Sequence, residues 1–205
     1  MNFPKKGIYF LFNPLNWESG VWEKNLKKIV PLLSAIQLRA PDLTDREFYR
    51  ISLKLKEILK NSGTPFIVNN RVDLAIAVKA DGIHLGEKDL PLNPARRIFE
   101  GIIGSSRHTS RGAKQAEKDG ADYIGCGPVF KTETKKLDRK VLAPEGYKKV
   151  KNSVNIPVIP VGGIKPENIK YIKGYSSIFA LSSAINCSLY PLRTCRKIKK
   201  TISLV

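Results

Sequence analysis

Long apolar runs are missing from this chain: nowhere do its 205 residues approach the roughly 20 consecutive apolar positions that a membrane crossing requires. The apolar stretch at residues 8–12 follows two lysines, as the core of a signal peptide would. It is too short for one, and no small-residue cleavage site follows it, so it reads as a first strand. Cysteine is scarce. Cys126, Cys187 and Cys195 form no CxxC pair and their number is odd. That favours reduced, mostly buried thiols in a cytoplasmic protein strongly over a disulfide framework. Acidic residues are few, 18 against 36 lysines and arginines, and the net charge is +18. Such an excess draws anions, nucleic acid or phosphorylated metabolites alike. No nucleic-acid-binding module accompanies it, and the two densest basic clusters, residues 148–151 and 193–200, fall where solvated helix faces are expected. Linkers and low-complexity tracts are absent too, so residues 1–205 read as a single domain. Nothing in the composition excludes a homo-oligomer.

What the chain does have is a repeated unit. Short apolar runs at residues 8–12, 35–38, 65–69, 82–85, 102–105, 123–125, 158–161 and 177–181 have the length and β-branched content of buried parallel strands. Helical patterns are expected between and after them, at 22–29, 45–61, 72–79, 94–99, 110–119, 144–150, 166–172 and 190–202. The helix from Asp45 is the clearest: Thr44 and Glu47 make a capping box, Phe48, Ile51, Leu55, Ile58 and Leu59 share a face, and Gly63 offers a stop. Eight alternations of strand and helix predict an α/β fold, a (β/α)8 TIM barrel, with an open doubly wound sheet as the other architecture. The long interval from Gly127 to about Ala143 is expected to be a functional loop.

In such a barrel, chemistry gathers at the C-terminal strand ends. Those ends carry Gln37 and Arg39, then Asn69 and Asn70, then His84, Glu87 and Asp89, then Ser105, Ser106 and His108. The loop after strand six carries Thr132, Thr134 and Lys135; Gly162-Gly163 and Ser182-Ser183 close the series. Hydroxyls, amides and cations with one well-placed carboxylate suit a phosphate ester with a metal ion. Gly163 lets backbone N–H groups approach an oxyanion, although most such glycine pairs are only tight turns. Asp89 is a candidate Mg²⁺ ligand, with a helix cap as the rival role. His84 reads as a satisfied core histidine, His108 as a candidate acid or base, and Cys126 as core filler.

Several stretches resemble the thiamine-phosphate synthase family and its TenI-like relatives: Ile36-Gln37-Leu38-Arg39, Phe66 through Asp73, Ala80 through Gly86 with Asp89-Leu90-Pro91, Ile103-Gly104-Ser105-Ser106, Gly120 through Lys135, and Ile156 through Ile164. The resemblance implies condensation of hydroxymethylpyrimidine diphosphate with thiazole phosphate. Carried over residue by residue, Gln37, Arg39, Asn69 and Ser106 meet the pyrimidine substrate, and Asp89 holds Mg²⁺. Lys135 stabilises the leaving diphosphate, and Thr132, Thr134, Gly163, Ser182 and Ser183 bind the thiazole phosphate. Two departures stand out. Ala40 and Pro41 replace the family's acid and lysine, and Asn70 replaces an aspartate that is a metal ligand. A TenI-like thiazole tautomerase, with His108 as acid and base, and a non-catalytic paralogue binding thiamine precursors are the alternatives.

Overall fold

A computed structural model describes residues 2–18, 20–132 and 140–203. Eight parallel strands form one sheet: β1 (Gly7–Phe12), β2 (Ala35–Leu38), β3 (Phe66–Asn69), β4 (Gly82–Leu85), β5 (Ile102–Ser106), β6 (Tyr123–Cys126), β7 (Val158–Pro160) and β8 (Ile178–Leu181). They pair in sequence order from β1 to β7, and β8 pairs back onto β1. β7 and β8 adjoin, which brings the sheet round into a barrel with one seam that carries no ladder among the described residues.

Side chains alternate between the two faces of a strand, and here both faces are dry. On β1, Ile8, Phe10 and Phe12 turn outward to a core shared with the helices, whereas Tyr9 turns into the barrel. The barrel interior is a smaller apolar cluster of its own, containing Ala35, Ile67, Ile102, Tyr123 and Ile178. Phe3 plugs its lower end, buried and stacked on Tyr123 with ring centroids 3.9 Å apart.

The surrounding helices are α1 (Val21–Ile29), α2 (Asp45–Leu59), α3 (Val72–Ala77), α4 (Leu92–Ile98), α5 (Ser110–Lys118), α6 (Ala143–Lys151), α7 (Ser183–Asn186) and α8 (Pro191–Ser203). The Thr44–Glu47 capping box of α2 is formed in both directions, and Phe48, Leu55 and Leu59 are buried. Its end differs from expectation. The chain leaves the helix after Leu59, and Asn61 rather than Gly63 takes the first left-handed conformation, with φ 64°. Asparagine tolerates that region, so no glycine is needed there. A second correction concerns residues 166–172, expected as a helix. Only a 3-10 turn, Ile169–Tyr171, forms. Ile169 and Ile172 are buried in the core shared with the helices without a longer amphipathic face. The short α7 had no sequence signal. Both basic clusters lie on helices, α6 and α8, and most of their charges face solvent. No helix among the described residues is long and apolar enough to cross a membrane.

Candidate active site

The C-terminal strand ends open into one cavity of about 680 Å³. Inward alternation carries Gln37 and Arg39 from β2 to its wall; Asn69 ends β3 and Asn70 follows it. Asp89 comes from the β4–α4 turn, and Ser106 and His108 from the end of β5. Thr132 lines the cavity from the stretch after β6, Gly163 from the turn after β7, and Ser182 and Ser183 from the end of β8. Thr134 and Lys135 lie outside the described residues, as does most of the loop expected there. Every other candidate site residue lines this one space, whereas Ser105 is buried and its hydroxyl donates to the Leu85 carbonyl at 3.3 Å. Its opposite wall is apolar, from Leu11, Ile159, Val161 and Ile164.

Arg39 is half-buried, and its guanidinium has no ion pair among the described residues. Desolvation pulls its pKa below the ordinary value, with Asp42 acting weakly against it. A cation so placed gains from an anion in the cavity. Asp89 is not a helix cap: the N-cap of α4 is Pro91, with no side-chain bond. Its Oδ2 instead accepts the Gly86 N–H at 2.5 Å, which closes the turn and holds the carboxylate on the cavity. Asn70 sits at φ 64°, and its backbone N–H donates to the His84 carbonyl at 2.9 Å. Asparagine and aspartate are the non-glycine residues best suited to that conformation, so the exchange preserves the backbone and removes only the charge.

No group of three or more His, Cys, Asp or Glu side chains converges among the described residues. Asp89 and Asn70 nevertheless share the cavity as two oxygen donors. That set fits Mg²⁺ in the manner of sites that take one or two protein oxygens and draw the rest from substrate phosphates and water.

His108 donates from Nδ1 to the Gly127 carbonyl, which fixes the ring at the cavity wall. Thr109 beside it caps α5 by accepting the Gly112 N–H at 3.1 Å, so the ring is carried on a fixed helix start. His84 does satisfy both its nitrogens, as expected of a core histidine, yet it also lines the cavity. Burial, aided by the nearby Arg39 and Arg107 charges, lowers its pKa to about 3, so the ring is neutral. Cys126 is buried and its thiol is pushed up to about 12 by desolvation, which leaves it inert.

Gly162 and Gly163 both have positive φ, 89° and 67°. A Cβ on Gly163 would stand 2.4 Å from the Lys131 carbonyl oxygen and 2.7 Å from that of Phe130. The glycine is therefore needed first for backbone packing, since the stretch after β6 rests directly on the turn after β7. That stretch is pinned by Phe130 N–H donating to the Gly162 carbonyl at 3.1 Å.

Sequence reasoning missed Tyr9 and Tyr123. Both are wholly buried in the barrel, and burial raises both phenol pKa values. Their hydroxyls meet at 2.7 Å inside the barrel, and Tyr9 is itself part of the cavity lining. The available signal was a tyrosine at an inward position of a strand otherwise filled with apolar residues.

A family profile described as thiamine monophosphate synthase matches residues 22–185. The thiamine-phosphate synthase of Caldanaerobacter subterraneus subsp. tengcongensis is 42% identical over 153 residues, which are 74% of this chain and 71% of that protein. The thiamine-phosphate synthase of Pyrococcus abyssi is 39% identical over 158 residues, 76% of each chain. Among solved structures, a thiamine phosphate pyrophosphorylase from Pyrococcus furiosus superposes with a TM-score of 0.88 at 32% identity, covering 98% of this chain and 96% of that one. A 3-hexulose-6-phosphate synthase, at 12% identity and a TM-score of 0.72, shares the fold alone.

Proposed function

This chain belongs to the thiamine monophosphate synthase family, and from that premise we propose that its cavity joins hydroxymethylpyrimidine diphosphate to thiazole phosphate, releasing diphosphate. The observation that carries the reading is convergence: all the candidate residues within the described part line a single cavity at the barrel mouth. Residues 1–205 act in it as one domain. The same reading puts the protein in the cytoplasm, in keeping with three free cysteines.

In the reaction, the bond between the pyrimidine methylene carbon and the diphosphate oxygen breaks, and its electron pair leaves with diphosphate. The thiazole nitrogen then gives its lone pair to the same carbon. Gln37, Asn69 and Ser106 hold the pyrimidine ring. Arg39 faces the diphosphate end, where Lys135 joins it on the family pattern. Thr132, Thr134, Gly163, Ser182 and Ser183 take the thiazole phosphate, which aims the nitrogen at the carbon. The apolar wall excludes water from the electrophile. Catalysis of this kind is positioning together with stabilisation of a departing anion. Asp89 and Asn70 would hold a Mg²⁺ ion, which when bound supplies positive charge against the diphosphate.

His108 favours a second reading, proton transfer on a thiazole phosphate, because its ring lines the cavity with Nδ1 fixed. One experiment separates the two. Purified protein is given both substrates with Mg²⁺ and thiamine phosphate is measured, while thiazole tautomerisation is followed in parallel. Condensation without tautomerisation is the expected result. Tautomerisation alone would replace the synthase reading, and neither activity would leave a binding protein.

A further inference from the structure

Five polar side chains run in a line through the barrel interior. The Gln37 Nε2 amide donates to the Tyr9 hydroxyl. Tyr9 and Tyr123 Oη atoms lie 2.7 Å apart, Tyr123 Oη is 3.0 Å from His84 Nδ1, and His84 Nε2 is 2.9 Å from Ser106 Oγ. Each hydroxyl has one proton to give, and a neutral imidazole has one. Fixing one end therefore fixes every bond in the line. The Gln37 Nε2 that faces Tyr9 can only donate, so the Tyr9 proton must go to Tyr123. With the opposite sense, Tyr9 would accept twice and its own proton would be stranded in a dry interior, at a cost of about 1–3 kcal/mol. Tyr123 then donates to Nδ1 of His84. The ring carries its proton on Nε2 and gives it to Ser106 Oγ. The Ser106 proton is left for the cavity that Ser106 lines.

The line is built into the strands rather than fitted between them. A Cβ on Gly104 would stand 2.0 Å from the Tyr123 ring, and one on Gly125 would stand 3.0 Å from His84 Cε1. Two adjacent strands thus give up side chains to let the rings lie flat across them. Phe3 holds the Tyr123 ring from below.

We propose that this line is polarised from Gln37 towards the cavity and presents Ser106 as an obligate hydrogen-bond donor, so that the substrate atom seated on Ser106 is an acceptor such as a pyrimidine ring nitrogen. Tyr9, Tyr123 and His84 are positioning residues; Gln37 and Ser106, the two ends of the line, touch substrate. The identity of that substrate rests on the synthase reading, whereas the polarity of the line does not.

Two measurements test the proposal separately. Nitrogen-15 NMR of histidine-labelled protein, with His84 told from His108 by a His108→Gln variant, should find His84 protonated on Nε2 and bare on Nδ1. A His84 protonated on Nδ1 reverses the line and overturns the proposal, whatever the enzyme does. Tyr123→Phe keeps the stack on Phe3 and removes the hydroxyl that accepts from Tyr9 and donates to His84. In the condensation assay it should raise KM for the pyrimidine diphosphate about tenfold, the scale of one lost hydrogen bond, with KM for thiazole phosphate unchanged. Equal loss for both substrates, or no loss, counts against a positioning role. If the wild type has no condensation activity yet His84 is protonated on Nε2, the polarised line stands and the synthase reading falls.

Discussion

Floor and mouth of the barrel are built from the same strands, often two residues apart, and they share almost no chemistry. On β2 the inward pair is Ala35 below and Gln37 above; on β3 it is Ile67 and Asn69; on β5, Ile102 lies below and Ser106 above. The floor is closed by Phe3, packed face-on to Tyr123 and edge-on to Tyr9 at 5.1 Å. The mouth is open and carries hydroxyls, amides and a half-buried guanidinium. An alternating strand lets one inward column serve both ends, because each step of two residues along it stays on the same face. Stability is thereby concentrated at the end where nothing binds, and the other end is left free for charged and strained groups that a core would not tolerate.

That division is breakable, and the floor should break hardest. Tyr123→Ala removes a fully buried ring together with its stack on Phe3 and is expected to cost ~3–5 kcal/mol, read from urea or guanidinium unfolding. At the mouth, Asp89→Ala should cut condensation by about a hundredfold, the scale of losing one preorganised charge-stabilising element, because the Mg²⁺ it would hold supplies the positive charge against the departing anion, and it should shift the unfolding midpoint far less. A floor-sized stability loss there would mean that the Asp89–Gly86 turn belongs to the scaffold.

Gly163→Ala tests a position that belongs to both. Its Cβ would overlap the Lys131 carbonyl, so it should cost roughly 1–3 kcal/mol and weaken thiazole phosphate binding, seen by calorimetry. Loss of binding at unchanged stability would mean that only an anion needs the glycine. Titration sharpens the boundary itself. His84 protonates at about 3 when folded against 6.5 as the ordinary value, so below pH 6.5 the unfolded chain takes up a proton that the native protein refuses. From this group, stability is complete above pH 6.5 and falls towards pH 3 by up to ~1.4 kcal/mol per pH unit. Replacing His84 with Gln should flatten that limb of the stability profile. The smallest change expected is Asn70→Asp, which keeps a side chain suited to φ 64° and should move stability by no more than about 0.5 kcal/mol. It should lower the Mg²⁺ concentration at half-maximal condensation, measured as initial rate against Mg²⁺; an unchanged requirement would remove residue 70 from the metal site.

The strands were legible because burial on both faces leaves continuous apolar runs, and the mouth was legible because polar residues end those runs in register. Other features were written less plainly. Tyr9 sits inside an unbroken apolar run, and periodicity alone cannot tell an inward phenol from core packing. The 3-10 turn at Ile169–Tyr171 defeated the helix expectation because Ile164, Ile169 and Ile172 carry a helix-like spacing over too few residues to hold a full amphipathic turn. Asn61 was passed over for Gly63, since a glycine is the louder stop signal although asparagine takes the same backbone conformation. Gly163 was read for the anion it could approach. Its nearest constraint, the Phe130–Lys131 backbone, is more than thirty positions away and invisible to any local pattern.

The unladdered seam between β7 and β8 has a consequence of its own. Seven neighbouring pairs in the sheet are laced by main-chain hydrogen bonds, and this one is not. Gly163 lies at the upper end of one side of the gap, and Ser182 and Ser183 at the upper end of the other. On the proposed reading, a phosphate gripped by both would act as a clasp across the one stave joint left unfastened among the described residues. Ligand would then harden the vessel as well as fill it, and amide exchange along β7 and β8 should slow on phosphate-ester binding more than exchange along β3 and β4.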